Sequence, residues 1–177
     1  MFKIKKKIGI FGGSFDPPHA GHYKISSSAI RKLKLNRLLW TVTKKNPFKD
    51  SSYFSLQKRI SKSKLISKKN KRIKVVYLDV LAKSSNTIGL LKYLIKKNKN
   101  CEFFLIIGSD NLVKFHKWKK WREIVKLTKL VVFSRKGFDK IAQKSIVARN
   151  LPKSSIIYIK DSKIDISSSQ LRKYYLK

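Results

Sequence analysis

The sequence predicts an α/β fold, an open and mostly parallel sheet with helices on both faces. Three observations predict it. Short apolar runs alternate with longer helical patterns along all 177 residues. Several of those runs are rich in Val, Ile and Phe with little polar alternation, as strands covered on both faces require. No internal repeat or interdomain linker interrupts the alternation, so residues 1–177 read as one domain, long enough to bury a sizeable core.

The elements follow in order. Lys7–Phe11 is the first strand. It runs into Gly12-Gly13-Ser14-Phe15-Asp16-Pro17-Pro18-His19-Ala20-Gly21-His22, whose glycines predict a tight turn, and the amphipathic pattern of His19–Leu35 then predicts a helix. Leu38–Thr43, Ile73–Leu78, Phe103–Ile107, Leu130–Ser134 and Ile156–Ile159 are the remaining strands. Helical patterns lie between and after them at Ser55–Ser67, Thr87–Lys97, Trp118–Lys126, Phe138–Ala148 and Ser167–Tyr175, with Ser167 placed as an N-cap. Lys44–Tyr53 is the longest polar connection after a strand. It reads either as a mobile loop beside the substrate or as a plain surface loop. In sheets of this class ligands bind at the carboxyl ends of the strands, so the segment from Gly12 to His22 stands where a ligand is expected.

Composition excludes several classes. No stretch of eighteen uncharged apolar residues occurs, which argues against a transmembrane helix. The basic start, Met1 to Lys7, is followed by no secretory apolar region, and Cys101 is alone, so no intramolecular disulfide or cysteine-rich zinc site is available. These features predict a cytoplasmic protein. The net charge of +35 invites a nucleic-acid reading. Lysine is nevertheless spread along the whole chain, with clusters such as Lys68-Lys69-Asn70-Lys71-Arg72 where turns are expected. That pattern suits a lysine-rich surface that steers anionic substrates, and no specific nucleic-acid partner is expected.

The Gly12–His22 segment combines features that serve a nucleoside triphosphate. Glycines let backbone approach a ligand, and amides at a helix start attract phosphate. His19 and His22 fall near that helix's first turn on one face. A triphosphate beside them favours their protonated form. Asp16 is left open between a ligand contact and a structural role, bonding backbone amides at the turn. No hydrolytic triad, Walker lysine loop or complete Gly-x-Gly-x-x-Gly fingerprint occurs.

With Ile107-Gly108-Ser109-Asp110-Asn111-Leu112, Phe115-His116-Lys117-Trp118-Lys119-Lys120-Trp121 and Ile166-Ser167-Ser168-Ser169-Gln170-Leu171-Arg172, that segment resembles the His-x-Gly-His nucleotidyltransferase superfamily. Within it the chain is most similar to the bacterial nicotinate-nucleotide adenylyltransferases, from about Ile8 to Arg172. The resemblance implies a Rossmann-like fold and adenylyl transfer from ATP to nicotinate mononucleotide, giving nicotinate adenine dinucleotide and pyrophosphate, a step of NAD biosynthesis.

It also implies roles. His19, His22 and Arg172 are the expected catalytic residues, the histidines on the ATP phosphates and Arg172 on the β and γ phosphates. Gly12, Ser14 and Phe15 are expected to shape the ATP pocket, Gly108 and Asp110 to hold the ribose, and Ile166, Ser167 and Ser168 to complete the phosphate site. Thr87 and Trp118 match the acceptor side, Trp118 by stacking on the pyridine ring. His116 is expected to support rather than touch the ligand, and Trp121 to lie in the core. Mg²⁺ is expected to arrive on the ATP phosphates, since no carboxylate cluster with metal spacing is readable.

The chain departs from the family at Gly89-Leu90-Leu91, where relatives carry Asp-Thr-Leu, and at Ser134-Arg135-Lys136-Gly137, where Arg-Pro-Gly is commoner. These departures bear on the acceptor half. Alternatives are another acceptor, nicotinamide mononucleotide or phosphopantetheine, or a basic RNA-binding protein. Oligomeric state is not legible.

Overall fold

A computed structural model describes residues 5–44, 52–160 and Ser168. Six strands, β1 (Lys6–Gly13), β2 (Arg37–Val42), β3 (Ile73–Val76), β4 (Cys101–Gly108), β5 (Lys129–Phe133) and β6 (Ile156–Ile159), form one sheet in the order β3-β2-β1-β4-β5-β6. Every pairing is parallel. The helices are α1 (Ala20–Leu33), α2 (Leu56–Ser67), α3 (Thr87–Lys97), α4 (Ser109–Lys114), α5 (Trp121–Leu127), α6 (Asp139–Gln143) and α7 (Ile146–Asn150). This is the open parallel α/β sheet that the alternation of patterns predicts, and the Rossmann-like architecture that the resemblance implies.

The pleat sorts the strand residues onto two faces. Phe103, Leu105 and Ile107 of β4 join Leu91, Leu94, Phe115 and Ile124 in a core on the face carrying α3 to α7. Phe104 and Ile106, between them in sequence, join Ala29, Ile30, Trp40 and Val131 on the face of α1 and α2. Burial on both faces explains why these strands read as unbroken apolar runs. The strand order reverses between β1 and β4, and the crevice at their carboxyl ends is where such a sheet receives ligands.

Strand positions agree with the sequence pattern, and two helical readings are corrected. Helix Trp118–Lys126 begins only at Trp121, because Trp118 is extended (φ −74, ψ 139) and Lys120 is left-handed (φ 53). Phe138–Ala148 is two short helices: Lys144 leaves helical geometry, and the Ser145 side chain caps α7 by accepting from the Ala148 amide. A serine that satisfies the amides of a new first turn competes with continuation of the old helix. Helix α4 and the 3-10 turn Phe115–Lys117 were not anticipated; β4 passes into α4 at Gly108 with no side-chain cap. The predicted helix Ser167–Tyr175 lies outside the described residues apart from Ser168, and so does most of the Lys44–Tyr53 connection.

Among the described residues, no helix is long and apolar enough to cross a membrane.

Candidate active site

The site starts at the end of β1. Gly12 and Gly13 were expected to form a tight turn, but they remain in the sheet, registered with Thr41 and Val42 of β2. The Thr43 amide donates to the Gly13 carbonyl at 3.1 Å, which continues the ladder one step further. The chain turns instead at Phe15 (φ 48), followed by a cis Asp16–Pro17 bond. Gly12 still serves close packing: a Cβ there would sit 3.3 Å from Thr41 Oγ1.

Asp16 is structural, though not in the way expected. Its buried carboxylate accepts the amides of Tyr53 (2.7 Å) and Phe54 (2.9 Å), far along the chain, rather than those of its own turn. Beside it lies Arg59, buried to 2% exposure, which the sequence reading missed. Its Nη1 donates to the carbonyls of Ser14 (2.7 Å) and Thr43 (2.8 Å), Nη2 to Lys44 (3.0 Å), and Nε to Phe54 (3.1 Å). One guanidinium thus ties the first motif, the end of β2 and the start of α2 together. Only a planar fork with several fixed donors can serve that many carbonyls. The legible signal was the residue type, an arginine where this chain ordinarily places lysine.

The helix start is built by the two histidines. His19 is the N-cap of α1: its Nδ1 accepts from the Gly21 amide at 3.1 Å, while the His19 amide donates to Nδ1 of His22 at 3.1 Å. Their rings lie 3.8 Å apart between centroids. His22 is further packed against Phe15 (4.9 Å), Phe11 (5.7 Å) and Trp40 (6.0 Å). Phe15 itself stacks on Trp40 at 4.9 Å and 17°. Behind them, Trp40 Nε1 donates to Ser26 Oγ at 2.7 Å, and Ser26 Oγ donates to the His22 carbonyl at 2.8 Å. Phe15, expected to line the pocket, is therefore also a buried support for His22.

By itself, the protein favours the neutral form of both histidines. With each Nδ1 accepting from a backbone amide, the ring proton belongs on Nε2. Burial and the nearby Arg135 cation push the His19 pKa down to about 4, and burial, His19 and Arg135 push that of His22 well below its ordinary value. The protein alone thus presents two neutral imidazoles with Nε2–H donors, and the charge they carry beside a triphosphate depends on that anion.

At the adjoining end of β4, Asp110 opens α4. Its Oδ2 pairs with Arg135 Nη1 at 2.6 Å, so the carboxylate expected to receive the ribose already has a cationic partner. A Cβ on Gly108 would fall 2.4 Å from Asp110 Oδ1, so the absence of a side chain there is what admits the carboxylate. Arg135 is anchored in turn: its amide donates to Ser109 Oγ (3.0 Å) and to Asp139 Oδ1 (3.1 Å). The Ser134 hydroxyl also bonds Asp139.

The residues expected on the acceptor side come from the other face of the sheet. Thr87 is the first residue of α3, after the Asn86 cap whose side chain accepts from the Gly89 amide at 3.1 Å. At Gly89 a Cβ would lie 2.3 Å from both Ser84 Cβ and Oγ, so this departure from the family is matched by Ser84 occupying the space. Trp118 is half-buried, tilted on Phe115 with centroids 4.8 Å apart, and Trp121 is buried with the Arg122 guanidinium over its ring. His116 has a buried Nδ1 without a hydrogen-bond partner.

Ser168 is brought to the first motif, where its hydroxyl donates to the Pro17 carbonyl at 2.9 Å. Ile166, Ser167 and Arg172 lie outside the described residues. The structure therefore gathers Gly12, Ser14, Phe15, His19, His22 and Ser168, sets Gly108 at the end of the neighbouring strand with Asp110 in the helix that follows it, and brings Thr87 and Trp118 from the opposite face. Among the described residues no group of three or more His, Cys, Asp or Glu could hold a metal ion.

Residues 10–174 match the model of the cytidylyltransferase-like family. The chain belongs to this family. Among its relatives is a protein of Pelagibacter ubique named "Probable nicotinate-nucleotide adenylyltransferase", 45% identical over 169 residues that cover 96% of this chain and 93% of that protein. A relative of the same name from Brucella suis is 35% identical, with 96% of each chain covered. Among solved structures, Plasmodium falciparum nicotinic acid mononucleotide adenylyltransferase complexed with NaAD superposes with a TM-score of 0.78. The match covers 96% of this chain and 83% of that one, at 23% identity. At that identity the superposition establishes the cytidylyltransferase-like fold, while the closer relatives place the chain among nucleotidyltransferases.

Proposed function

We propose that this chain transfers the adenylyl group of ATP to nicotinate mononucleotide, forming nicotinate adenine dinucleotide and pyrophosphate in NAD biosynthesis. The observation that carries the reading is the pair His19 and His22, held as Nε2–H donors at the strand-order reversal, in a chain 45% identical to a protein bearing that activity's name.

In this reading a 5′-phosphate oxygen of nicotinate mononucleotide attacks the α-phosphorus of ATP. The bond from that phosphorus to the bridging oxygen breaks, and its electron pair leaves with pyrophosphate. A phosphate oxygen is already a nucleophile, so the protein's work is alignment and charge stabilisation. His19 and His22 donate to the phosphate oxygens. Gly12, Ser14, Phe15 and Ser168 shape the ATP pocket together with Ile166 and Ser167. Asp110, next to Gly108, turns to the ribose, and Arg172 receives the leaving pyrophosphate. Trp118 covers the pyridine ring and Thr87 faces its carboxylate. Mg²⁺ enters with ATP as part of the substrate. We place the reaction in the cytoplasm, where ATP is available.

A pyrophosphate-release assay with ATP and each of nicotinate mononucleotide, nicotinamide mononucleotide and phosphopantetheine tests the reading. Turnover should be highest with the nicotinate compound. Preference for either of the others would reassign the acceptor, and no turnover with any would remove the activity.

A further inference from the structure

A groove of about 600 Å³ lies far from the strand carboxyl ends, between the last turn of α1 and the turn before β3. Ser27, Arg31, Lys34, Asn36, Asn70 and Arg72 supply its polar lining. Each of these groups presents a donor. Arg31, Lys34 and Arg72 are exposed and have no carboxylate partner among the described residues. Asn36 Oδ1 accepts from the Lys7 amide (2.7 Å), and Asn70 Oδ1 accepts from the Arg72 amide (3.0 Å). In both asparagines the acceptor is thereby spent on backbone, and the remaining Nδ2 group can only donate. The Ser27 hydroxyl is buried in the groove's wall and has no hydrogen-bond partner.

Residue type strengthens the pattern. Lysine is the default surface cation of this chain, yet arginine stands at two positions that converge on one groove. A guanidinium fork binds a phosphate group through two parallel bonds, which an ammonium cannot do. The volume falls within the range of small-molecule sites, roughly 300–1,000 Å³.

We propose that this groove is a second, non-catalytic site for a phosphorylated small molecule, its phosphate clasped between Arg31 and Arg72 with Lys34, Asn36 and Asn70 completing the donor ring. The site lies toward the opposite end of α1 from His22, and the twelve residues from His22 to Lys34 correspond to roughly 18 Å at 1.5 Å per residue. It can therefore be filled while the histidine site is occupied.

Inorganic pyrophosphate is the probe, titrated calorimetrically into the full chain at about 0.15 M salt, where exposed charges are screened beyond roughly 8 Å. Two classes of site are expected in the unaltered protein. Arg31→Gln/Arg72→Gln should weaken one of them at least tenfold and leave adenylyl-transfer turnover unchanged. The charge-matched control Lys140→Gln/Lys144→Gln should keep both, since those lysines lie on α6 and the turn after it. A single class of site in the unaltered protein, or equal weakening in both variants, would overturn the proposal. In a parallel arm, a short RNA that loses binding only in the arginine variant, with pyrophosphate binding untouched, would assign the groove to nucleic acid instead.

Discussion

His19 and His22 hold each other at the start of α1: the His19 amide donates to His22 Nδ1 at 3.1 Å, while His19 Nδ1 accepts the Gly21 amide. Protonation at either Nδ1 would replace an acceptor by a donor and break the cap. ATP binding is therefore expected to proceed with little proton uptake at pH 7.5. Calorimetry in buffers of different ionisation enthalpy measures this. Uptake approaching one proton per ATP would show that the triphosphate charges an imidazole at the expense of the cap.

The same shift has a consequence for acid stability. His19 titrates near 4 in the folded chain and near 6.5 when unfolded, so between those values the unfolded state binds the extra proton. Stability should fall as pH drops through that window and be fully retained above about 6.5. Urea midpoints at pH 7 and pH 5 should differ, and His19→Asn, which keeps a capping side chain, should shrink the difference. An equal drop in the variant would move the acid sensitivity to another group.

His22→Ala should lower turnover roughly 100–1000-fold, the range for removing one donor aimed at developing charge. The lost cap contact should cost about 1 kcal/mol of stability. Steady-state rates paired with a denaturation curve separate the two effects, and a rate loss below tenfold would leave His22 as a helix cap only.

Arg59→Lys should be among the more damaging conservative changes in the chain. An ammonium cannot reach Ser14, Thr43, Lys44 and Phe54 together, and a carbonyl left unpaired costs up to about 1–3 kcal/mol when buried and less at these partly exposed positions. A loss of about 3 kcal/mol by urea denaturation is expected. A change under about 0.5 kcal/mol would mean that water replaces the guanidinium.

Gly89→Ala should destabilise by about 1–3 kcal/mol through overpacking against Ser84. Because Ser84→Gly removes both clashing atoms, the double variant should recover most of that loss. Absence of recovery would show that α3 relieves the clash by moving.

Trp118→Ala should raise the acceptor constant about tenfold or more, which corresponds to a kcal/mol or two of lost aromatic contact, and leave ATP affinity nearly unchanged. Titration of both nucleotides against both proteins reads the difference. Equal affinities would return Trp118 to its packing role against Phe115.

The sheet was legible because its strands are covered on both faces, so each reads as a run such as Phe103–Ile107 bounded by polar turns. The first motif was legible as residues, but its geometry was not. Gly12-Gly13 looks like a turn by composition, whereas the register with Thr41 and Val42 keeps both residues in β1 and moves the turn to Phe15. Periodicity merged α6 and α7 because Ser145 cannot be seen to cap from spacing alone. Arg59 and Arg135 escaped for a different reason. Their partners lie at the ends of other strands, and only the sheet order brings Ser14 to one and Asp110 to the other.

The acidic residues among the described residues, Asp16, Asp110 and Asp139 included, share a property with consequences for how this sequence can drift. Asp16 holds Tyr53 and Phe54, Asp79 accepts the Lys44 amide, Glu102 pairs with Lys129, Asp110 with Arg135, Glu123 with Lys92, and Asp139 binds Ser134 and Arg135. Exposed lysines outnumber any partner they could find. Random substitution should therefore meet an asymmetric landscape, in which most lysines can be exchanged for any polar residue while replacing a carboxylate detaches a specific piece of backbone or a specific cation. A library that neutralises charges singly would recover folded variants mainly from the basic positions and the exposed pairs of Glu102 and Glu123, and the carboxylates that hold backbone would mark the joints of the structure.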